Sequence, residues 1–320
     1  MCPAARGVSG GATSARQRGS VPRSRASAPE TPLLACTPTP VPPREAMMLG
    51  FFTGGQLGDL KKTLEWARDH GFKSVSIAAP PGSKFFDVDE AIGNPRAIRE
   101  LEEATGVYIS AIGFYGNPID PDPSTRKLHS EHFAKLIEAT YRMEKSVVTG
   151  WLGKYPGDVD RNIEEIKKVW PPLIKKAEDY GVRIAIENCP GNIMFRPDIW
   201  RAVFDELGSP NLGLEFDPSH LICQMIDPIK AADDFGGRIY HVHAKDAEVL
   251  WERVREVGVT AGGWCPHRLP GFGQLDWAKF FSVLRKHKYD YAISIEHEDP
   301  FFGYEEGLVL ARKFLERFIV

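Results

Sequence analysis

From residue 47 onward the chain repeats one unit eight times, a short β-rich run followed by a longer amphipathic stretch. The runs fall at 48–53, 74–78, 108–112, 146–151, 183–187, 212–216, 239–244 and 292–296. Helical periodicity marks the stretches after them, near 57–70, 95–105, 124–144, 159–180, 197–207, 228–235, 276–287 and 302–317. In the first of these, Leu60, Leu64 and Ala67 recur at helical spacing, and Gly71 ends the helix as a C-cap would. Pro171 and Pro172 lie inside 159–180, where a kink or a split is expected. Strands separated by helices run parallel, and a parallel sheet needs both faces covered. Eight such units predict an α/β fold, a closed (β/α)8 TIM barrel over 47–320. The doubly wound alternative would carry a glycine-rich phosphate turn after an early strand, and Gly54-Gly55-Gln56-Leu57-Gly58 does not fit one.

Residues 1–46 form a separate Pro/Arg/Ser-rich extension that holds eight of the 25 prolines and almost no periodic apolar pattern. Such a segment buries too little surface to offset its ordering entropy, so disorder is expected there. Its Arg-rich, acid-poor composition resembles a transit peptide, although the prolines spoil an amphipathic helix. The simpler expectation is a dispensable tail, with Met47 or Met48 as the working start of the chain. Six Arg against two Glu give the extension +4, which leaves −7 for the rest of a chain whose net charge is −3. That balance argues against a nucleic-acid partner. No run of about 18 apolar residues occurs, so no membrane span is expected. Cysteines 2, 36, 189, 223 and 265 are scattered without a CxxC, so no disulfide framework is expected. A reducing compartment, the cytoplasm, is the simpler reading.

Parallel barrels carry their chemistry at the C-terminal strand ends. There the last four runs write IENCPGN (186–192), LEFDPSHL (214–221), HVHAKD (241–246) and SIEHEDP (294–300). One acid at a strand end is ordinarily a solvated loop entry or a helix cap. Four consecutive strands ending in a carboxylate or an imidazole make a different case, because converging carboxylates repel unless a cation lies between them. One divalent ion held by Glu187, Asp217, His243 and Glu296 resolves the conflict. Three oxygen donors and one imidazole suit Mn2+, with Mg2+ or Co2+ as alternatives, better than a thiolate-seeking ion. Cys189 is expected to be a core thiol. His241 and Glu215, each two residues before a proposed ligand, are expected to pair one layer deeper. Lys245 and Asp246 read as local salt-bridge residues, and Glu298 and Asp299 equally as outer partners or loop acids. Trp66, Trp170, Trp200 and Trp277 read as helix–barrel packing; Trp151 and Trp264 lie at a strand end and in a lid-like loop, where an aromatic could stack on a bound ring.

Together the four phrases resemble the sugar isomerase and epimerase family with the xylose-isomerase-like barrel, over roughly 48–318. The resemblance implies the same metal quartet and a small-molecule carbohydrate substrate. It also implies catalysis by Glu187 and Glu296, which move a proton next to a carbonyl through a metal-stabilised enediolate. It places His220 and Arg268 on the substrate, and Asn117 in a loop above the pocket. A homo-oligomer or a small partner subunit is a further implication. Relatives of this type include inosose dehydratases, 3-keto-glycoside epimerases and enzymes that eliminate a C-linked aglycone, so a lyase outcome stays open. An endonuclease IV-like repair enzyme would need more histidines at the strand ends and a basic face. A non-catalytic sugar-binding or subunit role would need no complete ligand set.

Overall fold

The computed structural model describes residues 47–319; the expectations made for the extension 1–46 lie outside the described residues. In chain order the elements are β1 (Met48–Thr53), α1 (Leu60–Asp69), β2 (Ser74–Ala78), α2 (Val88–Gly93), α3 (Pro95–Thr105), β3 (Tyr108–Phe114), α4 (Pro123–Arg142) and β4 (Val147–Gly150). Then follow α5 (Val159–Tyr180), β5 (Arg183–Glu187), α6 (Pro197–Leu207), β6 (Leu212–Phe216), α7 (Pro218–Ile222), α8 (Pro228–Phe235) and β7 (Ile239–Ala244). The last are β8 (Asp246–Ala247), α9 (Trp251–Val257), β9 (His267–Arg268), α10 (Trp277–Lys286), β10 (Ala292–Ile295) and α11 (Tyr304–Leu315). The barrel closes in the order β1-β10-β7-β6-β5-β4-β3-β2 with every pairing parallel, as the eight repeats predict. Thus β10 is the eighth barrel strand.

Three short helices, α2, α7 and α9, and the two-residue antiparallel ladder β8–β9 are additions within connections read from sequence as loops. The expected break at Pro171-Pro172 does not occur, because α5 runs through both prolines. Pro171 and Pro172 are exposed, as are Lys167 and Lys168, whose carbonyls lose their amide partners and can turn to water. The opposite face of α5 buries Ile166, Trp170, Leu173, Ile174 and Ala177.

The strands divide their side chains by the period of two. Phe51, Val75, Ile77, Ile184, Ile186, Leu214, Phe216, Val242, Ile293 and Ile295 belong to the large apolar core shared with the helices. Trp170, Trp200 and Trp277 are buried in that same core. Several of the alternate positions that meet across the barrel are polar, while Ala111, Val147, Ala185 and Tyr240 form a second, small apolar cluster. Ser76 Oγ lies 2.6 Å from Ser294 Oγ, and Ser110 Oγ lies 3.3 Å from His241 Nε2, all of them buried. Stability therefore resides in the layer between barrel and helices, and much of the lumen is left to polar groups.

Strand β1 approaches β2 closely at Gly50, where a Cβ would stand 2.3 Å from the Ser74 carbonyl oxygen. Backbone cannot move aside there as a flexible side chain would. Gly50→Ala is expected to cost about 1–3 kcal/mol by overpacking, seen as a lower urea midpoint with an unchanged slope.

Candidate active site

The parallel strands open all their C-terminal ends on one face. Glu187 ends β5, Asp217 follows β6 as the N-cap of α7, His243 lies near the end of β7, and Glu296 directly follows β10. One ligand atom from each of the four lies within 4.8 Å of the others. Glu187, Asp217 and His243 are buried and Glu296 is half-buried. Asn188 sets the spacing of two of them: its side-chain amide accepts from the Asp217 N–H and donates to the Asp217 carbonyl, both at 2.7 Å.

Each carboxylate has its own partners. Glu187 Oε1 lies 3.2 Å from His243 Nδ1 and 3.6 Å from His220 Nε2, and its Oε2 accepts the Trp151 indole N–H at 2.7 Å. Glu296 Oε2 accepts from the Lys245 ammonium at 2.6 Å and lies 3.2 Å from His243 Nδ1. Asp217 Oδ1 caps α7 by accepting from the Ser219 N–H at 2.8 Å and the Ser219 hydroxyl at 2.6 Å. Asp217 Oδ2 is buried and forms an ion pair with Lys245 Nζ at 3.0 Å. One layer deeper, Glu215 Oε1 lies 2.9 Å from His241 Nδ1 and 3.0 Å from His243 Nε2, and Oε2 accepts from the Tyr115 hydroxyl at 3.0 Å. The pairing of Glu215 with His241 is the one the sequence predicts.

Burial alone would push these carboxyls up and the bases down. For Glu187 that burial is outweighed by hydrogen bonds from His220 and His243, which hold it well below the usual range. Burial of Lys245 is likewise outweighed by the charges of Asp217 and Glu296, which raise it well above its ordinary value. His243 is raised by Glu215 and Glu296 against its burial, and His220 is pushed up to about 11, chiefly by Asp217. His241 goes the other way, because burial outweighs Glu215. The cluster is an anionic cage that favours positive charge on nearly every base it touches.

An aromatic wall faces the acids. The Phe52 ring lies 5.2 Å from His243 and 5.4 Å from Tyr115, and Tyr115 lies edge-on to Trp151 at 6.2 Å. Trp151 packs so closely over Gly191 that a Cβ there would meet the indole at 2.6 Å. Trp264 instead donates to the Val259 carbonyl at 3.0 Å, inside its own loop.

Several expectations are corrected. Cys189 is a half-buried thiol whose sulfur joins a group with Glu187 and His220, not a core thiol. It follows Glu187 by two residues, and that spacing returns a side chain to the same side of an extended chain. Lys245 is a buried ammonium in the middle of the site rather than a local salt-bridge residue; it reaches Asp217, Glu296 and Glu298. Asp246 makes no salt bridge among the described residues; it accepts from Ala247 and Leu275 N–H groups and the Trp277 indole at 2.8–3.0 Å, which fastens the loop before α10. Arg268 is bound to Asp299 and Glu248 at 3.1 and 3.2 Å and covers the Phe301 ring. Asn117 spends both amide hydrogens on Asp120 and the Lys154 carbonyl and accepts from the Lys154 N–H, so it fastens two loops together. Of the three residues assigned to substrate, only His220 stands among the quartet.

The cysteine expectation is also overturned. Cys223, the C-cap of α7, is joined in a disulfide to Cys265, 42 positions further along the chain, with Cα atoms 5.5 Å apart. The bond and the β8–β9 ladder hold the loop between β7 and α10 against the site. His267 of that loop bonds Glu298 at 2.7 Å, and its ring stands edge-on to His220.

A sequence model of the family described as the xylose isomerase-like TIM barrel matches residues 64–316. The uncharacterized protein YfiH of Bacillus subtilis is 29% identical over 260 residues, 69% of this chain and 82% of its own. An inosose dehydratase of Clostridium beijerinckii is 30% identical over 154 residues, 45% of this chain and 50% of that protein. Among solved structures, a D-allulose 3-epimerase from Methylomonas sp. matches with a TM-score of 0.64 at 22% identity, over 86% of this chain and 97% of its own. The IOLI protein, solved with a bound zinc atom, matches with a TM-score of 0.67 at 19% identity, over 85% and 98%. At these identities the two structures speak for a shared fold. Among the described residues no helix is long and apolar enough to cross a membrane.

The disulfide makes a measurable contribution. Cys265→Ser is expected to lower stability by about 2–4 kcal/mol, and reductant to lower the thermal midpoint of the parent chain but not of the variant. Peptide mapping without reductant checks the linkage itself.

Proposed function

The chain belongs to the xylose isomerase-like TIM barrel family, and on that premise we propose that it is a sugar isomerase or epimerase that moves a proton at a carbon next to a carbonyl with the help of one divalent metal ion. The observation that carries this reading is the convergence of Glu187, Asp217, His243 and Glu296, one donor atom each within 4.8 Å. In this reading those four hold the ion. The donor set fits: three carboxylate oxygens and an imidazole suit Mn2+ first, then Mg2+ or Co2+. Asp217 Oδ2 is buried 3.0 Å from the Lys245 ammonium, so a positive charge is already stabilised beside it. When bound, the ion supplies Lewis acidity toward the sugar oxygens.

Glu187 and Glu296 flank the quartet from β5 and β10, with β6 and β7 between them in the barrel. One carboxylate takes the proton from one face of the carbon and the other returns it on the opposite face. The Trp151 indole orients Glu187 and the Lys245 ammonium orients Glu296, so that each carboxylate keeps one oxygen fixed. His220 is the imidazole placed to bond a substrate oxygen. Phe52, Tyr115 and Trp151 give the sugar an apolar face to lie on. Arg268 and Asn117 shape the mouth by holding loops. A lyase outcome from the same first step is the second reading, favoured by the match to an inosose dehydratase.

Elemental analysis is expected to find about one divalent ion per chain, removed by a chelator together with activity; protein purified without chelator and free of metal would sink the reading. Glu187→Gln and Glu296→Gln are each expected to slow exchange of a substrate C–H with solvent deuterium by about 10²–10⁴-fold. Undiminished exchange in both would defeat the assignment. A panel of keto-sugars followed by NMR separates an epimer from an eliminated product.

A further inference from the structure

Beside the quartet lies a second set of donors of different chemical character. Glu187, Cys189 and His220 each offer one ligand atom, and these atoms lie within 4.8 Å of one another. The set arises from local geometry. Cys189 follows Glu187 by two residues beyond the end of β5, and His220 is on α7, directly after Asp217. Glu187 and His220 are buried, while Cys189 is half-buried, which leaves a way in for an ion. The Gly191 N–H donates to the Cys189 sulfur at 3.4 Å. Asp217 Oδ2, fully buried and paired with Lys245 Nζ at 3.0 Å, stands 3.5 Å from His220 Nε2.

A thiolate, an imidazole and one carboxylate oxygen are the donors of a zinc site with an open fourth position, and thiolate selects against Mg2+ and Mn2+. We propose that Glu187, Cys189 and His220 form a soft-cation site that takes Zn2+. The Cys189 thiol and the His220 imidazolium each lose a proton to the buffer as the ion binds. The neighbouring Lys245 ammonium, 3.4 Å from His220 Nε2, keeps its anchors on Glu296 and Glu298. Because Glu187 belongs to both sets, zinc here draws that carboxylate away from the quartet, and the two ions compete for it. The consequence is an enzyme that Zn2+ inhibits through a thiol outside the quartet. The site itself does not require that the quartet hold a metal.

Co2+ is the probe, since its thiolate complexes absorb in the near ultraviolet and its carboxylate and imidazole complexes do not. The full chain, freed of metal and titrated with Co2+, is expected to develop that band. Cys189→Ser is expected to lose it, and Glu296→Gln, which alters only the quartet, to keep it. Affinity for Zn2+ is expected to fall in Cys189→Ser by more than the roughly 10–100-fold that loss of an outer-sphere partner costs. Bound Co2+ without the band overturns the proposal. So does a band that survives in Cys189→Ser, which would belong to Cys2 or Cys36. Loss of one equivalent of bound Co2+ in Glu296→Gln with the band intact supports this site and tells against the quartet; loss of the band in Glu296→Gln overturns the proposal.

Discussion

Four carboxylates meet at the mouth of this barrel, and like charges this close in a buried setting repel strongly. Glu187, Glu215 and Asp217 are buried and Glu296 is half-buried. Glu187 and Glu215 even stand opposite one another on adjacent strands. What makes the arrangement tenable is the positive charge threaded through it: His243 touches three of the four, His220 touches two, and Lys245 touches Asp217 and Glu296. Removing one partner from a buried ionic set leaves a charge without compensation, typically a loss of about 3–5 kcal/mol. The apolar layer outside the barrel offsets the cost of burying these charges.

That division of labour follows from strand geometry. Residues at odd and even positions of β6 or β7 face different worlds, helices on one side and lumen on the other. Leu212, Leu214 and Phe216 pack outward, while Glu215 and His241 meet inside. The irregular register between Leu214 and Glu215 brings Glu215 opposite His241. A lumen lined by Ser76, Ser110, Ser294, Glu215 and His241 supplies hydrogen-bonding layers beneath the reactive groups. It keeps their orientation from depending on loops.

How much of this is legible in the sequence depends on whether the determining contact is local. The barrel follows from periodicity, and the quartet follows from its place at strand ends, because strand direction and the period of two fix both. The same rule reaches Lys245, two residues after His243, and Cys189, two after Glu187, once it is carried past the strand end. Nothing local announces that the Trp151 indole bonds Glu187, 36 residues away, or that Cys223 meets Cys265. Nor does a linear string show that Arg268 pairs with Asp299 and Glu248, or that Asn117 bonds Lys154, because those partners come from other connections. The helix through Pro171 and Pro172 persists for a tertiary reason as well: its buried side is held by the barrel, and its interrupted carbonyls lie where water can reach them.

The two-residue ladder of Asp246 and Ala247 with Arg268 and His267 brings the start and end of an excursion side by side. Everything from 248 to 266 therefore leaves and rejoins the body at one point, and lengthening such a loop raises its closure entropy only logarithmically. The excursion is an interchangeable visor. Its length and sequence can be redrawn to admit larger or smaller guests, while the strand ends that hold the acids stay as they are.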